Sequence, residues 1–426
     1  MMSTVALGQE LVTLEEVIAL TLKDNFDVRL MQNAAQSTHT DNKHSVGLFL
    51  PQINGNAATM WNDTHQDLEF ENAANNRSGD ARANNTTASV QAVWTLFDGT
   101  KMFATRARLE EIAVQGEMKV KNQMVNSIAA VITNYYNIVR QKQQLRAIQE
   151  MMSVNEERLK LAERKLEVGT GARPELLQAK VDLNAQRTLA IQQETLINQL
   201  KDQLNGLVGL KLPQQYEVAD TIIINLNILY TDIVDNIEHN SYQLQATRQN
   251  ISIAQRTLHE SFGSLSPVIN ATGAYNFSKT NNTKLINPFA PLQSQNSGLN
   301  YGFTISIPIL NGLATSRSIQ QSHINVRRQK LVYEQQKQVV DVAVRNAYVN
   351  YDNTKKILAI EEENILLAKE NVVIALERFK RGATTFVELR AAQESLETAY
   401  NRLIAARYDA KVAETELLRL NGSLLK

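Results

Sequence analysis

The sequence predicts a mainly helical chain with a membrane β-barrel portion. Long helical hairpins form an α-barrel, and four β-strands per protomer contribute to a twelve-stranded barrel shared by three copies. Three observations predict this. The chain is duplicated: Asn134-Tyr135-Tyr136-Asn137 answers to Ala347-Tyr348-Val349-Asn350, Phe97-Asp98-Gly99 to Leu310-Asn311-Gly312, Val168-Gly169-Thr170 to Arg381-Gly382-Ala383, and Leu50-Pro51-Gln52-Ile53-Asn54 to Ser266-Pro267-Val268-Ile269-Asn270, about 213 to 216 residues apart. Each half holds two alternating strands, too few to close a sheet on itself. Each half then continues without proline for about 67 residues, long enough for a helix of about 100 Å.

In chain order, residues 1–10 read as a leader remnant or scar and stay outside the fold. The first repeat covers 11–211. Thr13 followed by Glu15 and Glu16 predicts an N-cap with acidic first-turn residues, opening a helix to about His44. Strands follow at about 51–65 and 86–97, with Ala88, Val90, Ala92, Trp94 and Leu96 alternating against Thr87, Ser89, Gln91 and Thr95; Ile53 to Trp61 alternates less cleanly. A Gly-containing turn leads into a long helix at about 101–168 and a return helix at about 174–208. Residues 212–228, with Pro213 and Ile222-Ile223-Ile224, interrupt the helices as an equatorial segment between the repeats.

The second repeat, 229–426, has the same order: a helix from near Thr231 to about Phe262, strands at about 267–278 and 299–309, a long helix at about 313–381 and a return helix at about 385–421. Asn25 and Asn240 are expected at equivalent places in the opening helices. In the strands Tyr301, Phe303, Ile305 and Ile307 alternate with Asn300, Gly302, Thr304 and Ser306. The loops between paired strands, about Asp67 to Asn85 and Lys279 to Ser297, are rich in Asn, Ser and Ala and suit an exposed rim. Apolar residues in the long helices recur at a spacing near 3.5, as in Val125, Ile128, Ile132, Tyr135, Val139 and in Ile365, Ala368, Val372, Ala375, Phe379, which predicts coiled-coil packing.

Composition narrows the class. The 44 Lys and Arg balance 44 Asp and Glu, so no basic field exists to hold a nucleic acid. Mean hydropathy is −0.29 and no run of about 18 apolar residues occurs, which excludes a transmembrane helix but not a membrane strand. A single alternating hairpin fits a half-buried soluble sheet; polar faces of Asn, Thr, Ser and Gly without charge suit a water-filled lumen better. Open sheet edges cannot face hydrocarbon, so four strands demand partners. Two copies supply eight strands and a filled interior; three supply twelve strands, an open bore and a matching twelve-helix tube.

No enzyme signature is present. The six histidines are scattered, there is no cysteine, and Gly206-x-x-Gly209 and Gly169-x-Gly171 lack the Lys and Ser that a phosphate loop needs, so neither cofactor nor metal is expected. Tyr135, Tyr136 and Tyr348 lie in an apolar stripe and are expected in the core.

The duplication, the strand-pair-then-long-helix order, and above all Val168-Gly169-Thr170-Gly171 before Glu175-Leu176-Leu177-Gln178-Ala179, with Gly382-Ala383-Thr384-Thr385 before Glu388-Leu389-Arg390-Ala391-Ala392-Gln393, resemble the helical-tip motif of the TolC-like family of outer membrane efflux proteins. The resemblance covers essentially the chain after residue 10. It implies a homotrimer in the bacterial outer membrane extending into the periplasm, the passive exit duct of a tripartite efflux or type I secretion system. It also implies a periplasmic adaptor as partner and, indirectly, an inner-membrane pump of RND, ABC or MFS type.

By the same resemblance, Glu175, Phe379, Thr384 and Glu388 are gate or constriction residues. Val168, Gly169, Thr170, Gly171, Arg381, Gly382 and Ala383 form the hairpin tips that meet the adaptor. Thr384 stands where some members have Arg, and Ala391 where some have a second Asp, which implies a closed state resting on packing rather than on a charged lock between neighbouring hairpins. Two rivals are a periplasmic adaptor, which carries one hairpin and Gly-rich β-domains, and a soluble coiled-coil scaffold, which needs no lipid-compatible strands. Cargo is not legible, because a neutral polar duct passes many solutes.

Overall fold

The structure, a computed structural model, describes residues 10–213 and 215–425. Of the stretch read as a leader remnant, residues 1–9 lie outside the described residues, while Glu10 already belongs to a strand. The described elements are β1 (Glu10–Leu11), α1 (Leu14–Asp24), α2 (Phe26–His44), β2 (Gln52–Leu68), β3 (Arg77–Phe97), α3 (Lys101–Glu167), α4 (Arg173–Leu207), β4 (Tyr216–Glu217), α5 (Tyr230–Val234), α6 (Ile237–Asn240), α7 (Tyr242–Gly263), β5 (Val268–Lys284), β6 (Gln293–Ser306), α8 (Ala314–Lys380) and α9 (Phe386–Leu420). Two compact units emerge, and they cut across the repeats. One holds the residues up to Gln36, Gln115–Arg248 and Val332 onward; the other holds Ser37–Val114 and Gln249–Leu331.

The first unit is helical. Thr13 caps α1 through a reciprocal box: its Oγ1 accepts from the Glu16 amide at 3.3 Å, and the Glu16 carboxylate accepts from the Thr13 amide at 2.9 Å. The opening helix does not run unbroken to His44. It stops at Asn25, whose backbone is extended (ψ 128°) and whose Oδ1 accepts from the Val28 amide at 3.1 Å to start α2. In the second repeat the opening element is split into α5, α6 and α7, and Ser241 (ψ 106°) marks the corresponding break. At Asn25 side-chain capping restarts the helix, and neither break uses proline or glycine to mark it in the sequence.

These breaks receive the ends of the return helices. Gly209 has φ +69°, and a Cβ there would lie 2.8 Å from the Asp24 carbonyl; Gly422 has φ +68° and closes in the same way on the Asn240 carbonyl. Asp24 and Asn240 are therefore the matching residues, and the expected pairing of Asn25 with Asn240 is off by one.

The long helices pack as a coiled coil. In α8 the buried residues Val344, Tyr351, Leu358, Ile365, Val372 and Phe379 recur every seventh position, and in α9 so do Leu389, Leu396, Leu403, Ala410 and Leu417. Met151, Leu358, Ile365, Val372, Ala392, Leu396 and Leu403 share one core cluster. Ile128, Ile132, Tyr135 and Val139 of α3 share another with Leu204, Val12 and Tyr216. Tyr135 is buried, donates to the Val12 carbonyl and accepts from the Ala219 amide, both at 3.0 Å. Its counterpart in that role is Tyr351, which donates to the Asn225 carbonyl at 2.7 Å; Tyr348 instead stacks edge-on to Tyr230.

The equatorial segment forms a parallel β1–β4 pair and a charge cluster. Lys142 and Lys201 reach Glu217 at 2.5 and 3.0 Å, and Lys142 and Arg146 reach Asp220 at 3.0 and 2.6 Å. Burial alone would push the Glu217 carboxyl up, but the two lysines hold it below the usual carboxylate range. Arg146 first, and Lys142 with it, hold Asp220 low as well.

The second unit carries one antiparallel sheet in the order β2-β3-β5-β6, so one edge of β2 and one of β6 have no strand beside them among the described residues. The strands are longer than the sequence's alternation predicts, and the connections shrink to 69–76 and 285–292. The reason is that pairing continues past the apolar band onto polar residues. Asp63 faces Arg82 in an ion pair at 3.0 Å, His65 meets Asp80, and Lys284 reaches Asp80 at 3.0 Å. A backbone ladder extends without any periodic apolar signal in the side chains. The register shift between Thr95 and Phe97 gives the place expected for Leu96 to Phe97, which pairs with Ile269.

Candidate functional site

Two features carry functional information, the sheet in one unit and the hairpin tips in the other. In an antiparallel ladder directly paired residues share a face. Ile53, Val90, Trp94, Tyr275, Leu299, Tyr301 and Phe303 thus line one face. Leu299 is 64%, Tyr301 82% and Phe303 75% exposed. The opposite face over the same stretch presents Asn54, Gln91, Ser89, Thr87, Asn270, Thr272, Asn276, Asn300 and Thr304, without a charge. The greasier side is thus open and not packed on a core, the reverse of a sheet that covers a water-soluble core. Among the described residues no helix is long and apolar enough to cross a membrane.

The hairpin tips are built by glycines in the left-handed region. At the first, α3 ends and Gly169 (φ +76°) turns the chain, with Thr170 and Gly171 amides donating to the Lys165 carbonyl at 2.9 and 2.8 Å. Pro174 sits in the first turn of α4, where its missing N–H costs nothing, and Glu175 follows it beside the positive end of the helix. At the second tip Gly382 (φ +71°) turns, the Ala383 amide donates to the Arg378 carbonyl at 2.9 Å, and Thr385 caps α9 by accepting from the Glu388 amide at 3.3 Å. Val168 is 73% exposed at the first tip. Arg381, Gly382 and Ala383 are exposed at the second.

Of the residues expected at a constriction, Thr384 and Glu388 are brought together: the Thr384 hydroxyl donates to the Glu388 carboxylate. Phe379 is buried rather than displayed. Its ring lies 3.9 Å from the Lys165 ammonium of the first hairpin and packs at a tilt to Phe386 at 6.5 Å. Glu175 is half-buried in the first turn of α4, on the other hairpin from Thr384 and Glu388.

The hairpins also share a charged contact that the residues at the tips do not foreshadow. Arg158 of α3, 2% exposed, pairs with Asp182 of α4 and donates from Nη1 to Gln393 Oε1 of α9 at 2.9 Å. Its guanidinium lies 4.9 Å from the Phe386 ring, and Arg390 approaches Asp182 at 3.8 Å. Alongside packing, a buried charge thus joins the two hairpins of one protomer, away from the positions where the tip motif would put one. One sequence signal points to it: Met151, Asn155, Arg158 and Ala162, all buried, fall at four-three-four spacing, so a cation occupies an inward position of the helix seam.

Comparison with known proteins completes the description. The profile of the outer membrane efflux protein family matches residues 17–210 and 233–423, once in each half. The outer membrane efflux protein BepC of Brucella suis biovar 1 (strain 1330) is 22% identical over 352 residues, spanning 79% of this chain and 72% of the relative. Among solved structures, the transmembrane channel CusC superposes with a TM-score of 0.77 at 17% identity, covering 96% of this chain and 91% of that one. The outer membrane protein VceC of Vibrio cholerae gives 0.74 at 13%, covering 96% of each chain. The open state of the MtrE outer membrane channel of Neisseria gonorrhoeae gives 0.74 at 14%, covering 97% and 89%.

Proposed function

The chain belongs to the outer membrane efflux protein family, and from that premise we propose that it is the trimeric exit duct of a tripartite efflux or type I secretion system. Membership of the family makes this an outer membrane efflux channel protein, a transporter component and not an enzyme. Three copies join β6 of one to β2 of the next and close twelve strands around a polar lumen. Their long helices continue the duct into the periplasm. Cargo is supplied by an inner-membrane pump of RND, ABC or MFS type through a periplasmic adaptor that meets the tips around Gly169 and Gly382. Residues near the tips, among them Glu175, Phe379, Thr384 and Glu388, form a gate that opens when the adaptor engages.

The observation that carries this reading is the sheet, with its exposed apolar face, its uncharged polar face and two unpaired edges. An unpaired edge in hydrocarbon costs several kcal/mol for each backbone group left without a partner, so lipid accepts these strands only in a closed ring. Eight strands from two copies fill with side chains, whereas twelve leave a bore. The absence of cysteine makes the test clean. Cysteines placed singly on β2 and β6 are oxidised in native membranes: a covalent ladder ending at three copies, in protein that resists carbonate and yields only to detergent, supports the duct. A carbonate-soluble monomer overturns it.

A further inference from the structure

Resting on the reading of the hairpin tips as a gate, we propose that Arg158 is a positioning residue that keeps the two hairpins of each protomer separable. Its charge makes their contact one that water can reopen. Arg158 is buried and bridges both hairpins, to Asp182 on its own side and to Gln393 and Phe386 on the other. Its bonding is incomplete. Among the described residues neither Arg158 Nε nor Gln393 Nε2 has a hydrogen-bond partner, and both are shut away from solvent. Beside them lies a cavity of about 190 Å³ lined by Met151, Asn155, Asp182 and Gln186 among others.

A buried cation with an unpaired N–H is costly while the helices stay packed, and the cost disappears when they part and water reaches the guanidinium. An apolar side chain of similar length would hold the joint more firmly, because it would gain nothing from hydration. Asp182 is what keeps the packed state tolerable. It neutralises Arg158 and keeps Gln178, at 2.8 Å, and Arg390 as further partners of its own. Removing the cation and removing its counter-charge should therefore act in opposite directions. A contact that serves folding alone would change the stability of the assembled protein without changing how often it opens.

The test is open probability of the purified, full-length trimer in planar bilayers. Asp182→Asn, which leaves Arg158 buried without an anion, should raise it at least about tenfold. Gln393→Met, which removes the acceptor of the Nη1 hydrogen bond, should raise it too and serves if Asp182→Asn fails to assemble. Arg158→Met should lower it, with Asp182 still held by Gln178 and Arg390, and the Arg158→Met/Asp182→Asn double variant should follow Arg158→Met. Variants shifting in the same direction, or not at all, overturn the proposal. A Lys165→Cys/Phe379→Cys pair joined by a short bismaleimide separates this outcome from failure of the gate. If the clamp lowers conductance but the variants do not diverge, the role of Arg158 falls alone; if the clamp changes nothing, the gate reading falls with it.

Discussion

The sheet and the return helix α9 treat the same kind of residue in opposite ways. Leu389 and Leu417 of α9 are completely buried, while Leu299, Tyr301 and Phe303 of β6 are among the most exposed large side chains of the chain. The spacing differs to match. A repeat of seven turns one stripe of a helix toward its neighbours, and a repeat of two turns one side of a strand outward. Hydrophobic residues in the first region are satisfied within the chain. In the second they await a solvent that is itself apolar, so a single rule applied in two solvents produces two patterns.

Substitutions can break that contrast in graded steps. Leu417→Ala should have the largest effect, about 2–5 kcal/mol, since it empties a space that surrounding helices cannot refill; denaturant unfolding in detergent measures it. Leu299→Arg comes next, at about 2–4 kcal/mol, because it puts a charge on the membrane face of a strand. Asn300→Arg, one residue along on the polar face, should cost far less, and equal losses at the two sites would remove the assignment of faces. Both are read from the heat resistance of the proposed trimer.

Glycine sharpens the comparison within the helical unit. Gly209→Ala forces a Cβ onto the Asp24 carbonyl at a positive φ and should cost about 1–3 kcal/mol. Gly169→Ala, also at positive φ but in open space, should cost about 1 kcal/mol and leave assembly intact. Thermal melts of the two variants side by side measure the difference.

The smallest effect is that of pH on the equatorial cluster. Glu217 and Asp220 are held below their unfolded values, so the stability they contribute is fully present above the usual carboxylate range and is lost as pH falls through the lowered values. The melting-temperature gap between this chain and a Glu217→Gln/Asp220→Asn variant should therefore close as the pH is taken from about 7 to below about 4. A gap that widens on acidification would contradict the assignment.

Much of this was legible beforehand because it is periodic. The duplication, the proline-free long helices, the glycine turns and the alternating apolar strand residues all repeat, and repetition survives without a structure. What was not legible depends on single residues or on the backbone. The strand ends at Leu68 and Arg77 are held by ladder bonds that any side chain permits. The breaks at Asn25 and Ser241 use residues that helices also tolerate inside them. Tyr135 finds its functional counterpart in Tyr351 rather than in Tyr348, where motif matching puts it. At the candidate gate the glycine turns were visible and the seam spacing turns Arg158 inward, but its partner was not visible, because Gln393 lies 235 positions away.

The sevenfold recurrence along α8 and α9 also limits how such a chain can change in length. Inserting a single residue swings everything beyond it by about 100° around the helix axis and pulls the inward stripe out of its seam. Adding seven to each partner helix restores the alignment and advances the tip by about 10 Å. If the tips meet an adaptor as proposed, descendants of this chain that reach a nearer or farther partner must lengthen or shorten in matched heptads, so the reach of the helices is quantised.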